Sequence, residues 1–283
     1  MGYEVWKTID NIDRKKYLYH YTTMETAYKI LYNKTLRFAS VLSTNDIFEQ
    51  KPKIKFEVIN NDNIEKVRLV REYLSGARSK IKIVCFSLDS DYDEEKYRKM
   101  CKYISKDEKR ANIIGRGFAL PRMWAQYANN SCGVCFIFDK SKLLKSLDKQ
   151  LKEYKAEKVE YVDSYIPHLI ANEELEKMYD IIKSPKEETL NSIVYNNSVF
   201  IKYNYFYKLS DWQSEREFRI ITTTQNEDEI IEIKNINEFL CGAVLGHNVD
   251  NLHEKLIRSL VEENFNLRHI YFEDTITCVK NVN

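Results

Sequence analysis

Trp212-Gln213-Ser214-Glu215-Arg216-Glu217-Phe218-Arg219-Ile220-Ile221-Thr222-Thr223 is the stretch on which the reading of the fold turns. Phe218, Ile220 and Ile221 make its second half a strand that enters the core, because aromatic and β-branched residues fit a pleated, half-buried surface. Two carboxylates, Glu215 and Glu217, lead into that strand. They share one face if the strand extends back to 215, since side chains two apart point the same way. Arg216 and Arg219 are near enough in sequence to pair with them. A carboxylate pair at the mouth of a buried strand suits general-base work or stabilisation of a developing cation. An exposed edge strand of alternating charge is the competing reading, and the apolar residues weaken it.

Further strands are expected at 17–23, 35–40, 81–87, 132–138, 159–162, 229–233, 240–245 and 269–272. Helical spacing or capping signals place helices at 24–33, 63–77, 121–127, 173–207 (split at Pro185) and 252–263. Asn45-Asp46 marks a turn inside a loop over 41–50. Strands come both in succession and separated by helices. This pattern predicts an α+β fold of mixed, mostly antiparallel sheets with flanking helices, in a single domain over 1–283.

The chain has 7 glycines in 283 residues, well under the usual ~7 %. Their positions cannot form GxGxxG or GxxxxGK[ST], so a nucleotide here would be held without a glycine-rich phosphate cradle. Lys+Arg number 44 and Asp+Glu 43, a net +1. The balance is uneven: 96–122 carries nine basic and two acidic residues, whereas 153–188 carries ten acidic and five basic. The basic stretch, with Tyr97 and Tyr103 interleaved, could hold a phosphate-rich partner. No apolar run approaches the ~20 residues of a membrane helix, and the N-terminus has no secretory apolar region. A cytoplasmic location is therefore expected, with no membrane contact. Cys132-x-x-Cys135 lacks the second pair a zinc site needs and reads as reduced cysteines in a strand. The five histidines form no HExxH-like pair, so no metal is expected.

Two other spots could carry chemistry. On the first expected strand His20 and Thr22 share a face while Tyr21 points to the other. A buried polar pair there needs partners or a ligand; a histidine satisfied by backbone is the plainer reading. In Arg122-Met123-Trp124-Ala125-Gln126-Tyr127, Trp124 and Tyr127 share a helix face, suited either to core packing or to stacking on a ring.

The order of these pieces resembles the ADP-ribosyltransferase fold of the diphtheria-toxin and poly-ADP-ribose polymerase kind. There, too, a strand with His-x-Thr leads through a helix and a Leu-Arg strand, matched here by Ile30-Leu31 and Leu36-Arg37. More closely, the chain is similar to the bacterial family called domain of unknown function 2971. The matching pieces are Leu18-Tyr19-His20-Tyr21-Thr22, Asn45-Asp46-x-Phe48-Glu49, Cys85-Phe86-Ser87, Met123-Trp124-x-x-Tyr127-Ala128, Gly133-Val134-Cys135 and Trp212-x-x-Glu215-x-Glu217-Phe218-Arg219. The similarity spans roughly 17–246, leaving a C-terminal helix and strand over 247–283.

The resemblance implies NAD as substrate and cleavage of its nicotinamide–ribose bond by an ADP-ribosyltransferase or an NAD glycohydrolase. It implies that Glu217 stabilises the developing cation, with Glu215 as auxiliary acid or acceptor-orienting group. His20, with Tyr21 and Thr22 beside it, would bind the adenosine-side ribose. Phe86, Trp124 and Tyr127 compete to stack on nicotinamide; Val84-Cys85-Phe86-Ser87 offers Phe86 where the transferase pattern usually carries a tyrosine. Arg37 and Arg122 would meet the pyrophosphate. The acceptor would be protein or nucleic acid, the latter through 96–122. A bacterial toxin or phage-defence effector, with an antitoxin as partner, is the setting such an enzyme implies. The alternative is a non-catalytic nucleotide- or partner-binding module on the same fold.

Overall fold

A computed structural model describes residues 15–50, 64–91, 113, 115–165, 186–273 and 276–281. Its strands are β1 (Tyr17–Thr22), β2 (Thr35–Arg37), β3 (Ala39–Ser40), β4 (Ile81–Ser87), β5 (Val134–Asp139), β6 (Lys155–Lys158) and β7 (Glu160–Val162). They continue as β8 (Tyr207–Leu209), β9 (Glu217–Thr223), β10 (Glu232–Lys234), β11 (Leu240–Leu245), β12 (Leu267–Glu273) and β13 (Ile276–Asn281). The α-helices are α1 (Met24–Asn33), α2 (Ile64–Ser79), α3 (Pro121–Tyr127), α4 (Lys140–Gln150), α5 (Glu187–Asn191), α6 (Ser198–Tyr205) and α7 (Asn251–Ser259). The fold is α+β, as the residue pattern predicts. A 9-stranded sheet runs β13-β12-β11-β5-β1-β4-β9-β6, with β3 added beside β4. All its pairings are antiparallel except β11 with β12.

β5 lies at the centre and all six of its residues are buried, as a strand covered on both faces requires. Alternation sorts the neighbours. Leu18, Phe136, Phe138, Val84, Phe86, Phe218 and Ile220 face α1, α4 and α7 in the main core. Tyr17, Tyr19, Tyr21, Cys135 and Ile137 face the other way, against Phe118, Met123 and Trp124. Side-chain caps fix the helix starts: Thr23 accepts from the Thr26 N–H, Asp139 from Lys142 and Asp250 from His253. α1 ends at Lys34 in the left-handed region, φ 54°, its N–H returning to the Ile30 carbonyl.

The sheet opens at one seam. β1 follows β5 through six consecutive pairs, and β4 follows β9 through seven. β1 and β4 meet at a single pair, Tyr19 opposite Ser87. Side chains of β1 brace the edge of the seam. Tyr19 Oη donates to Asp89 at 3.2 Å, and Asp89 also receives Arg116 Nη1 at 2.9 Å and the Gly117 N–H at 2.7 Å. Tyr21 Oη donates to the Gly117 carbonyl at 2.7 Å and accepts the Leu120 N–H at 3.3 Å. Residues 115–120 are thereby tied to the seam.

Several expectations change. The strand expected over 35–40 is two short strands, of which β2 pairs with β10 and β3 with β4. Helix α4 and strands β6, β8 and β13 were not foreseen. The helix expected from 186 to 207, after the split at Pro185, is α5, a π-helical turn over Ser192–Asn196 and α6, and Tyr207–Leu209 is β8. Pro185, residues 173–185, and positions 96–112 and 114 of the basic run lie outside the described residues. No described helix is long and apolar enough to cross a membrane.

Gly117 shows how tightly the seam is braced. A Cβ there would lie 2.2 Å from Tyr19 Cδ2, in a ring held on both sides. Gly117→Ala should therefore lose about 1–3 kcal/mol, the usual cost of overpacking, measured by urea unfolding. A change under ~0.5 kcal/mol, ordinary for a surface site, would show that the ring moves freely.

Candidate functional site

A cleft of about 270 Å³ opens where the seam parts. Among the sequence-predicted residues, His20, Tyr21, Arg37, Phe86, Ser87, Tyr127, Glu215 and Glu217 line it. By strand alternation His20 belongs to the face of Leu18 and Phe86, and Glu217 to the face of Cys85. Only because the strands separate here can both border one cavity. Thr22, Trp124 and Arg122 do not line it.

His20 crosses the gap. Its Nδ1 lies 2.9 Å from the Cys85 carbonyl oxygen, which can only accept, so Nδ1 carries the proton and Nε2 is left as an acceptor. Burial lowers the His20 pKa, opposed by that hydrogen bond. The ring is therefore neutral near pH 7 and supplies the β4 backbone with the donor that β1 does not. It packs 5.7 Å from the Phe86 ring, centroid to centroid.

The two glutamates reach the cleft by a route that differs from the expected continuous strand. β9 begins at Glu217, and Glu215 ends a 3₁₀ helix, Ser210–Glu215. Arg216 between them is left-handed, φ 48°. That reversal places both carboxylates on one cation. Lys208, from β8, donates Nζ to Glu215 Oε2 at 2.8 Å and to Glu217 Oε2 at 3.2 Å. Its Nζ also stands 4.4 Å from the Trp212 ring centroid. Arg219 grips Glu217 with two bonds, Nε to Oε1 at 2.6 Å and Nη2 to Oε2 at 2.8 Å. Its Nη1 donates to the Tyr205 carbonyl at 2.7 Å. Tyr127 Oη donates to Glu215 Oε1 at 2.8 Å. Arg216 does not pair with the glutamates; it donates to the Gly115 carbonyl at 2.8 Å.

Burial alone would raise the Glu217 carboxyl, but the charges of Arg219 and Lys208 outweigh it and hold the group down at about 2. Burial likewise opposes the Lys208 charge, and Glu217, Glu49 and Glu215 more than compensate, raising its pKa. Burial and then the Glu215 charge raise Tyr127, which stays a donor.

The aromatic candidates separate. Trp124 is fully buried, donates Nε1 to the Phe118 carbonyl at 2.8 Å, and meets Tyr21 edge-on at 5.0 Å. It is core, which removes it as a stacking platform. Phe86 is 2 % exposed and offers the cleft little of its ring. Tyr127 is half-buried on the wall and presents the most. Arg37 is exposed at the rim. Arg122 instead clasps the 3₁₀ segment, donating Nη1 to the Asp211 carbonyl at 2.8 Å and to Ser214 Oγ at 3.2 Å. It holds Glu215 in place from behind rather than facing a ligand.

Sequence reasoning missed Lys208, Arg219 as a wall residue, and Glu49. The one local signal for Lys208 is a cation directly after an aromatic run, Tyr203 to Tyr207. Glu49 stood at the end of the Asn45-Asp46-x-Phe48-Glu49 motif without a role.

Residues 123–220 match the model of a family described as a protein of unknown function (DUF2971). The match runs from α3 into β9, so it covers Tyr127, Lys208, Glu215, Glu217 and Arg219 but not His20 or Glu49. No curated protein and no solved structure matches the chain.

Acid unfolding checks the electrostatics. With a folded carboxyl at about 2, below the ~4.3 of an unfolded glutamate, Glu217 contributes stability that is complete above ~4.3 and lost as pH falls towards its folded value. His20 adds a limb: its folded pKa lies below the ~6.5 of an unfolded histidine, so acidification from ~6.5 favours the unfolded chain. Unfolding free energy from urea titrations should fall on both limbs between pH 7 and pH 3, and His20→Gln should flatten the upper one. Lys208→Met leaves two buried carboxylates short of a cation and should cost about 3–5 kcal/mol at pH 7. Equal stability of variant and parent would mean that Lys208 is not held between them.

Proposed function

We propose that the cleft binds NAD and that the protein splits the nicotinamide–ribose bond, as an ADP-ribosyltransferase or an NAD glycohydrolase. The observation that carries this reading is the convergence of His20, Tyr127, Glu215 and Glu217 on one opening in the sheet. The His20 Nε2 is an acceptor suited to a ribose hydroxyl. Tyr127 gives an aromatic wall for a planar base, and Arg37 at the rim a cation for the pyrophosphate. A cavity of about 270 Å³ lies just under the usual ~300–1,000 Å³ of ligand pockets. It suits one nucleoside half of a dinucleotide, with the remainder lying outward towards Arg37.

In the reaction nicotinamide leaves with the bonding electron pair and the ribose carbon becomes an oxocarbenium cation. Three carboxylates, Glu49, Glu215 and Glu217, border the cleft with two buried cations, Lys208 and Arg219. Arg37, the third cation of the lining, stands out at the rim, so the buried end keeps a fixed carboxylate charge that stabilises such a cation without rearrangement. Water or an acceptor nucleophile then bonds to the carbon and loses its proton to Glu215, which has lone pairs beyond those used by Tyr127 and Lys208. The charge of 96–122 favours a nucleic-acid or acidic protein acceptor, and a toxin or phage-defence effector is the role such an activity serves.

One observation favours a second reading, a nucleotide-binding module without turnover. Glu217 is already held through both oxygens by Arg219 and through one by Lys208, so its charge is largely spent on them.

Labelled NAD incubated with the protein, alone and with cell lysate, separates the two. Release of nicotinamide is expected, and Glu217→Gln should lower it by ~10²-fold or more while circular dichroism shows the variant folded. His20→Ala should weaken NAD binding. No release under any condition would leave the binding module. Release unchanged in Glu217→Gln would remove that residue from the chemistry.

A further inference from the structure

Glu49 comes from the loop after β3, and its position is set locally. Asp46 Oδ1 accepts the Phe48 N–H at 2.9 Å, and the Asp46 carbonyl accepts the Glu49 N–H, also at 2.9 Å. This turn leaves Phe48 48 % exposed and carries Glu49 inward to 1 % exposure, where it forms part of the cleft wall. Arg219 Nη2 stands 2.5 Å from Glu49 Oε1 and balances its charge. The approach is not along an N–H direction, and neither Glu49 oxygen has a hydrogen-bond partner.

A buried carboxylate with no donor is costly, and native proteins rarely keep one without a use. The other two carboxylates contrast with it. Glu217 takes three donor bonds from Arg219 and Lys208, and Glu215 takes Tyr127 and Lys208. Of the three, Glu49 alone has no hydrogen bond on either oxygen, although Oε1 touches Arg219. Both are shielded from bulk water. Arg78, a buried guanidinium whose N–H groups also lack hydrogen-bond partners, feels the Glu49 charge, and the cleft that Glu49 lines is the side from which a ligand donor can arrive. The last torsion of a glutamate is soft, and a small turn of the carboxylate brings it towards the cavity. Across that cavity Ser87 Oγ is a second buried group without a partner.

We propose that Glu49 is a ligand-binding residue of the cleft that accepts hydrogen bonds from two adjacent hydroxyls, the vicinal diol of a ribose. This rests on the ribosyl-ligand part of the reading above but not on turnover. Two neighbouring hydroxyls match two carboxylate oxygens, and charge-assisted bonds of this type are the strong ones. Glu49 therefore selects ribosyl over deoxyribosyl ligands.

Calorimetric titration tests this with NAD, adenosine and their 2′,3′-dideoxy counterparts, the NAD analogue lacking the hydroxyls of the nicotinamide ribose. The parent protein should prefer the diol form of at least one pair by tenfold or more, and Glu49→Gln should cut that preference at least fivefold. Glu49→Asp keeps the charge beside Arg219 while withdrawing the oxygens, and it decides the matter if Glu49→Gln does not fold; its preference should also fall. A preference unchanged in the folded variant, or no preference and no binding of any ribosyl probe by the parent, would overturn the proposal. Diol preference lost in Glu49→Gln, with no nicotinamide release from NAD, would remove the bond-splitting reading and leave Glu49 as assigned.

Discussion

Between β1 and β4 the backbones touch at one pair of residues, Tyr19 and Ser87, in a sheet whose central ladders are otherwise long. Peptide groups along the rest of that seam must find other partners, because a buried N–H or C=O left alone is costly. One such partner is a side chain. His20 satisfies the Cys85 carbonyl, while Tyr19 and Tyr21 send their hydroxyls to Asp89 and Gly117. The cleft is what remains once these bridges are made. A histidine and a glutamate from opposite faces of the sheet can share it for that reason alone.

The second constraint is charge. Burying a single carboxylate is prohibitive, but Glu217 is buried with a two-pronged arginine and a shared lysine, and its carboxyl is held at about 2. Lys208 and Arg219 reach the site from β8 and β9, whose ends are turned towards each other by the left-handed Arg216. Position and charge state are thus set together. Moving any one of these groups would leave another buried and uncompensated.

Much of the sheet could be read from the chain. β1, β4, β5, β9 and β11 carry uninterrupted apolar or alternating runs, and alternation on β1 sets His20 and Tyr21 on opposite faces. α4 escaped because its apolar signal is thin, Leu143, Leu144 and Leu147 among lysines, directly after a strand whose end residue, Asp139, doubles as its cap. The pairing of Glu215 with Glu217 was legible as proximity but not as geometry. Strand periodicity says nothing of a left-handed residue that is not glycine. Trp124 and Tyr127 share a helix and differ in fate, since only the long-range contact of Tyr127 with Glu215 brings it to the cleft. Lys208 and Glu49 act across 9 to 170 positions of chain, towards Glu217 and Arg219, and no local pattern announces such pairs.

The seam also divides the sheet mechanically. β5, β1 and β11 form one hydrogen-bonded slab, and β4, β9 and β6 another. One backbone pair, a few side-chain bridges and the shared core of Leu18, Phe86, Phe138 and Phe218 join them. The backbone ladder of one slab can open without breaking the other's, and amide exchange reads whether they do so separately. The protection of β5 amides and that of β9 amides then report different openings, and a ligand seated across the seam would merge them into one.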